Sequence, residues 1–357
     1  MRHNTMKHNT IGPRTARVTV SALAALCIMG FGVCNARESE ASKPVTKENY
    51  VQAETDLYLY EQQAKSGVNK FEHADMVTMK NQVIIRSNRD VVYSRAVVDI
   101  SGGVTFSIPP RKAFQVIHVM DENHLTHRVI RAGETVTMGP DDVTGGTHVY
   151  LLCRTQITDD LKETSAAQRA MKIEAKSSKP YKPKGFKKEE VEAMRKKLVT
   201  EYNEGKATII EHKSFVPTLA DADPQSYLYA AAVGWGGLPS HTAQYLPKIT
   251  GQGSDAPQQI TIPKPDLDWD KGGFFSLTTY DSDGWIVEEK FYIGHGDMQD
   301  DGDSYTIYVN APDEANSITV QKGWTGVFRF YLPKDELAFI KYIDSLRAVK
   351  MQPLEQE

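Results

Sequence analysis

Between Thr46 and Gly67 the apolar positions Tyr50, Ala53, Leu57, Tyr60 and Ala64 recur at helical spacing, which predicts a helix stopped by Gly67. Thr46, three residues before Asn49, offers an imperfect capping box. From Val83 the pattern changes to short runs rich in β-branched and aromatic residues: NQVIIRS, VVYSRAVVDI, GVTFSIP, KAFQVIHVMD, HRVIRAG and THVYLLCRT. Gly, Pro, Asn or Asp separate them, as expected of an antiparallel sandwich or barrel. Ser101-Gly102-Gly103 is the clearest hairpin signal among the links.

Beyond Thr155, LKETSAAQRAMKIEA predicts a helix, and SSKPYKPKGFKK is a Pro-punctuated basic connector. KEEVEAMRKKLVTEYNEG predicts another helix, and SYLYAAAV a further one ending at Gly234. Strand signals return in FFSLTTY, WIVEEKFYI, DSYTIYV and GWTGVFRFYLP, before a last helix in DELAFIKYIDSLRAVK. The expectation is a mainly β fold with helical segments: two β-sandwich-like domains joined by a helical connector. The expected boundaries are 37–80 for an N-terminal helical segment, 81–172 for the first β domain, 173–264 for the connector and helices, and 265–357 for the second β domain.

The beginning of the chain reads differently. Arg2, Lys7, Arg14 and Arg17 precede the apolar stretch Val18 to Val33, with no acid among them, and the small residue Ala36 follows. This predicts a signal peptide over 1–36, cleaved near Ala36, and a periplasmic or secreted protein. A lipoprotein anchored through Cys34 is the alternative, and Val33 before it argues against that site. The stretch is too short to span a bilayer, so the mature chain is expected to lack a transmembrane segment.

Composition narrows the function classes. Lys and Arg total 42 against 46 for Asp and Glu, a net charge of -4 that gives no basic excess for a nucleic-acid backbone. Three Cys are too few for a disulfide framework or a Cys-based zinc site. Cys153 shares a strand face with Val149 and Leu151, which predicts a buried thiol.

Several clusters could carry chemistry. HVMDENHLTH places His118, Asp121, Glu122, His124 and His127 in one strand-and-turn segment, the ligand types of zinc or another divalent metal. Alternation puts His118 and Asp121 on opposite strand faces unless the strand ends or bulges between them. The competing reading is a core-facing His118 followed by a polar turn. Arg89, Asp90, Asp99, His148 and Arg154 lie on different strands and could converge to hold a carboxylate, phosphate or sulfate. Arg–Asp pairs tying strand ends together are the competing reading. DMQDDGDSYTIY has acidic spacing like a calcium loop, but Tyr308 replaces the closing Glu, and it reads as a hairpin turn. GWGGLP lacks phosphate-loop spacing; its glycines suit a tight turn, and Trp235 is a pocket or core indole.

In order along the chain, these segments resemble the exported bacterial family in which the domain of unknown function numbered 1254 is followed by the one numbered 1214. The resemblance rests on Asn49, Tyr50, Ala53, Glu54, Thr55 and Asp56, on Asn88, Arg89 and Asp90, on Tyr93-Ser94, Asp99, Pro109, VMDENH, Gly133 and Arg154-Thr155. It continues through GWGGLPSHTAQYL, FSLTTYDSDG, DGDSYTIYV and VFRFYLP. The chain departs from the pattern at Phe275, where the family commonly has Trp, and between Thr319 and Gly323, where an Asn-Trp pair is expected. The resemblance implies a two-domain, mainly β exported protein and names no reaction. The functional expectation is an exported cell-envelope protein of unknown biochemical role that binds a small molecule between the two β domains, the ligand being a small molecule or an anion, with Arg89, Asp90, Arg154 and Trp235 as binding candidates. The alternative is a hydrolase of an ester or sulfate ester, using one divalent metal such as zinc on His118, Asp121 and His124.

Overall fold

The structure is a computed structural model that describes residues 43–354. The expected signal peptide and Cys34 lie outside the described residues. The N-terminal part runs α1 (Tyr50–Ser66), β1 (Glu72–His73), β2 (Val91–Asp99), β3 (Val104–Ser107), β4 (Gln115–Met120), β5 (Thr126–Arg131), β6 (Thr135–Met138), β7 (His148–Gln156), α2 (Leu161–Ala170) and β8 (Lys172–Ala175). Helices α3 (Lys188–Asn203) and α4 (Pro224–Gly234) follow. The C-terminal part runs β9 (Ala243–Leu246), β10 (Gln258–Pro263), β11 (Phe274–Tyr280), β12 (Tyr292–Gly294), β13 (Gln299–Asp300), β14 (Ser304–Val309), β15 (Thr325–Tyr331), α5 (Glu336–Leu346) and β16 (Gln352–Pro353).

The strands make four antiparallel sheets, and the fold is mainly β, as the alternating runs predict. In the first half, the sheet β1-β2-β7-β4-β5 packs on the sheet β6-β3-β8 over Val98, Phe106, Ile117, Leu151 and Cys153. In the second, β13-β14-β10-β16 packs on β12-β11-β15-β9 over Ile260, Ile307, Phe275, Phe328 and Phe330, with α5 adding Phe339. Each such side chain contributes about 1.5–3 kcal/mol when withdrawn from water. Local chemistry sets the helix starts. Asp223 accepts the Ser226 N–H at 2.7 Å ahead of Pro224, and Asp335 accepts the Ala338 N–H at 2.7 Å.

The differences from the pattern are local. NQVIIRS is a bent loop with Val83, Ile84 and Ile85 exposed, because no strand pairs with it. The Ser101–Gly103 turn joins strands of two different sheets, so it is a corner between layers rather than a hairpin. KIEA, expected to extend the helix, leaves it as β8 and pairs with β3. The segment 173–264 also holds β9 and β10, which complete the two sheets of the second sandwich.

Candidate functional site

Both sandwiches turn a second buried face outward, and these faces meet. Along β15, Phe328 and Phe330 enter the sandwich core, so Val327, Arg329 and Tyr331 point the other way. Register places Ser276, Arg329 and Tyr245 in one row across β11, β15 and β9. On the first sandwich, Val116, Arg154 and Tyr93 form a row across β4, β7 and β2, beside His118 and Leu152. Val91, Phe114, Val116, Phe274 and Tyr331 seal the apolar part of this seam, where the Tyr331 ring stacks on Phe274 at 4.3 Å.

The floor of the seam is polar and bonded. Arg329, 4% exposed, donates from Nη1 to Thr278 Oγ1 at 2.9 Å, and from Nη2 to Tyr280 Oη at 2.7 Å and the Arg86 carbonyl at 3.0 Å. Tyr280 in turn donates to the Ser87 carbonyl at 2.8 Å. Tyr331 donates to Asp90 Oδ2 at 2.9 Å and accepts from Asn88 at 2.8 Å. Burial raises the pKa of Asp90, with Arg329 and the hydroxyls of Ser276, Tyr331 and Tyr292 acting against it. Burial works against the charge on Arg329, but Tyr280 and Asp90 outweigh it and hold its pKa above the ordinary value. Asp90 Oδ1 and Ser276 Oγ are still left without a hydrogen-bond partner.

At the rim, Arg89 behaves differently. Its guanidinium lies 5.5 Å from the Tyr292 ring centre, in cation–π geometry. Among the described residues it forms neither an ion pair nor a side-chain hydrogen bond. Burial lowers its pKa, with Tyr292 and Asp90 acting in the opposite sense. Arg89 borders an open cavity of ≈ 510 Å³ whose wall includes Lys290, Phe291, Tyr292, Asp297 and Asn316. A second recess, beside Trp324, offers only ≈ 10 Å³, about the room of one water.

The other binding candidates meet at the helical side of the seam. Trp235, just past α4, stacks on Tyr58 at 4.0 Å and on His124 at 4.9 Å, and its indole donates to Thr55 Oγ1 at 3.2 Å. Arg154 donates to the Gly236 carbonyl at 2.7 Å, and the Gly236 N–H donates to His124 Nε2 at 2.8 Å. Gly236 needs to be glycine: its φ is +76°, and a Cβ would sit 2.6 Å from Leu152 Cδ2. Burial lowers the pKa of His118 well below the ordinary value, helped by Arg154 and His124. It lowers that of His124 to about 4, against the pull of Asp121.

The structure does not bring His118, Asp121 and His124 together as one set of metal ligands. Among the described residues, no group of three or more His, Cys, Asp or Glu side chains is placed to hold an ion. The reason is visible at Asp121, whose Oδ1 accepts the Asn123 and Leu125 N–H groups and whose Oδ2 meets His127 and Thr144. The carboxylate caps its own turn, which brings His124 to a φ of +61°. Asp99 and His148 also leave the expected set. They pair at the opposite end of β2 and β7, where Asp99 takes Ser177 and the Lys179 N–H, and His148 meets the Lys179 carbonyl. Cys153 is buried in the first core. The acidic run at Asp300 is a hairpin between β13 and β14.

Sequence reasoning missed Arg329, Tyr331, Tyr292 and Ser276. The signal was present in VFRFYLP, where a lone Arg interrupts an aromatic strand and must find partners if both faces are buried.

No protein-family model matches the chain, and no curated protein matches it. Among solved structures, the VPA0106 protein from Vibrio parahaemolyticus is similar over 87% of this chain and 98% of its own, at 16% identity and a TM-score of 0.65. An uncharacterised protein from Burkholderia cenocepacia covers 84% of this chain and 89% of its own, at 14% identity and a TM-score of 0.44. The first likeness extends through both sandwiches and speaks to the fold alone.

Proposed function

We propose that the protein is an exported member of the 1254/1214-type family and binds a small molecule carrying a carboxylate or phosphate in the cavity beside Arg89. One observation carries the binding reading: a half-buried guanidinium with no bonded partner among the described residues faces a ≈ 510 Å³ cavity. Small-molecule sites run to roughly 300–1,000 Å³, and a guanidinium donates two parallel hydrogen bonds to a planar anion. Lys290 adds positive charge, and the carboxylates of Glu289 and Asp297, which balance it, offer acceptors with Asn316 to hydroxyl or amino groups on the same molecule. The Arg329 network beneath keeps the Arg89 strand end in place, because Asn88 and Asp90 on either side are tied to Tyr331. The leader-like stretch Val18 to Val33 supports export, and the ordered run of family-like segments supports the membership.

Metal-assisted ester hydrolysis would need an ion where Asp121 is already saturated, so the geometry favours binding. The test is a thermal-shift screen of sugar acids, amino acids, dicarboxylates and phosphate esters. At least one should raise the Tm of the wild type and leave Arg89→Ala unmoved. No stabilising anion, or equal stabilisation of both proteins, would defeat the proposal.

A further inference from the structure

A second group of buried donors stands apart from the Arg89 cavity, around the peptide of Gly236. Arg154 is 5% exposed; its Nη2 bonds the Gly236 carbonyl, and its guanidinium lies 5.5 Å from the Tyr93 ring centre. Its Nη1 has no partner, and among the described residues no carboxylate forms an ion pair with it. His124 is 1% exposed. Because its Nε2 accepts the Gly236 N–H, the ring proton must sit on Nδ1, and that buried donor has no acceptor either. His118, fully buried on the strand beside Arg154, meets Thr126 Oγ1 through Nε2 at 2.8 Å, so the two free donors are Arg154 Nη1 and His124 Nδ1.

A water could accept from these N–H groups, which removes a cost of about 1–3 kcal/mol for each donor left bare. It would not neutralise a buried guanidinium, whose desolvation costs several kcal/mol unless it is paired. Two aromatic rings close the site from water, since Trp235 stacks on His124 and the Phe215 ring meets it edge-on at 5.8 Å. On its Cβ side Gly236 faces Leu152 Cδ2, which a methyl group would meet at 2.6 Å.

We propose that Arg154 and His124 hold a small inorganic anion or formate-sized carboxylate beside Gly236, an internal site independent of the cavity at Arg89. The occupant is a pure acceptor of few atoms, because the protein supplies donors and positive charge. It would fasten the Trp235–Gly237 turn to the sheet, completing the join between α4 and the first sandwich.

The experiment uses the full exported chain carrying Arg89→Ala, so that the rim cavity does not contribute. Melting is followed in formate, nitrate and bromide against gluconate, which is too large to enter, at matched ionic strength. Formate, nitrate or bromide should raise Tm by about 2 °C per tenfold in concentration beyond saturation, and Arg154→Gln should abolish that dependence. Equal melting in all four salts, or an unchanged dependence in Arg154→Gln, would overturn the site. Should Arg154→Gln not fold, anomalous diffraction from crystals of the otherwise wild-type chain grown in bromide decides the matter. A bromide peak beside Arg154 Nη1 and His124 Nδ1 is expected, and water density without anomalous signal there would refute it.

Discussion

Arg329 and Arg89 belong to the same seam, yet the protein treats them in opposite ways. Arg329 bonds Thr278, Tyr280 and the Arg86 carbonyl, with Asp90 acting on it electrostatically. Arg89 rests over one tyrosine ring at the edge of a cavity, with its donors unspent on the protein. A buried guanidinium with three hydrogen bonds ties its sandwich to the loop at Arg86. One left half-bonded at a cavity is an asset only if something else completes it.

Removing the floor should have the largest consequence. Arg329→Met strands the Thr278 hydroxyl and the Arg86 carbonyl and leaves Asp90 without its cation, a loss of roughly 3–5 kcal/mol by chemical denaturation. A loss as small as that of a surface substitution would erase the distinction between floor and rim.

The second effect concerns acid. His124 has a folded pKa of about 4 against an ordinary value of 6.5, so its stabilising contribution is complete above pH 6.5 and is lost as pH falls towards 4. Between those limits, in gluconate buffer that leaves the Arg154 site empty, the wild type should lose roughly 3 kcal/mol more than His124→Gln, whose amide oxygen still accepts from Gly236. Parallel pH profiles for the two proteins would show that the His124 ring is not buried neutral.

Gly236→Ala comes next. It places a methyl group against Leu152 at a left-handed backbone position, and a cost of about 1–3 kcal/mol is expected in a denaturant melt. Arg89→Ala should change stability least, within about 0.5 kcal/mol, since the side chain makes no bonded contact that folding depends on. A larger loss would make Arg89 a structural residue like Arg329.

The sequence made the strands visible wherever β-branched and aromatic residues alternated, as in VVYSRAVVDI and VFRFYLP, and helices wherever apolar residues recurred at helical spacing, as from Tyr50 to Ala64 and in DELAFIKYIDSLRAVK. It misled at Val83–Ile85, where a strand-like run has no pairing partner, and it hid β9 and β10 among helical segments because a four- or six-residue strand leaves little periodicity. Arg89, Asp90, Arg154 and Trp235 were each recognisable, but not their grouping. Register puts Arg154 beside Tyr93 and sends Asp99 to the far end of the same strand pair, an outcome of long-range pairing that no local spacing encodes.

The most direct test of the account is calorimetric titration of the best-binding anion from the screen into wild type and Arg89→Ala. Loss of a charge-assisted, two-bond contact worth about 1.5–3 kcal/mol should weaken binding roughly 10- to 100-fold, with the fold intact. Unchanged affinity in Arg89→Ala would contradict the assignment of the cavity as the binding site.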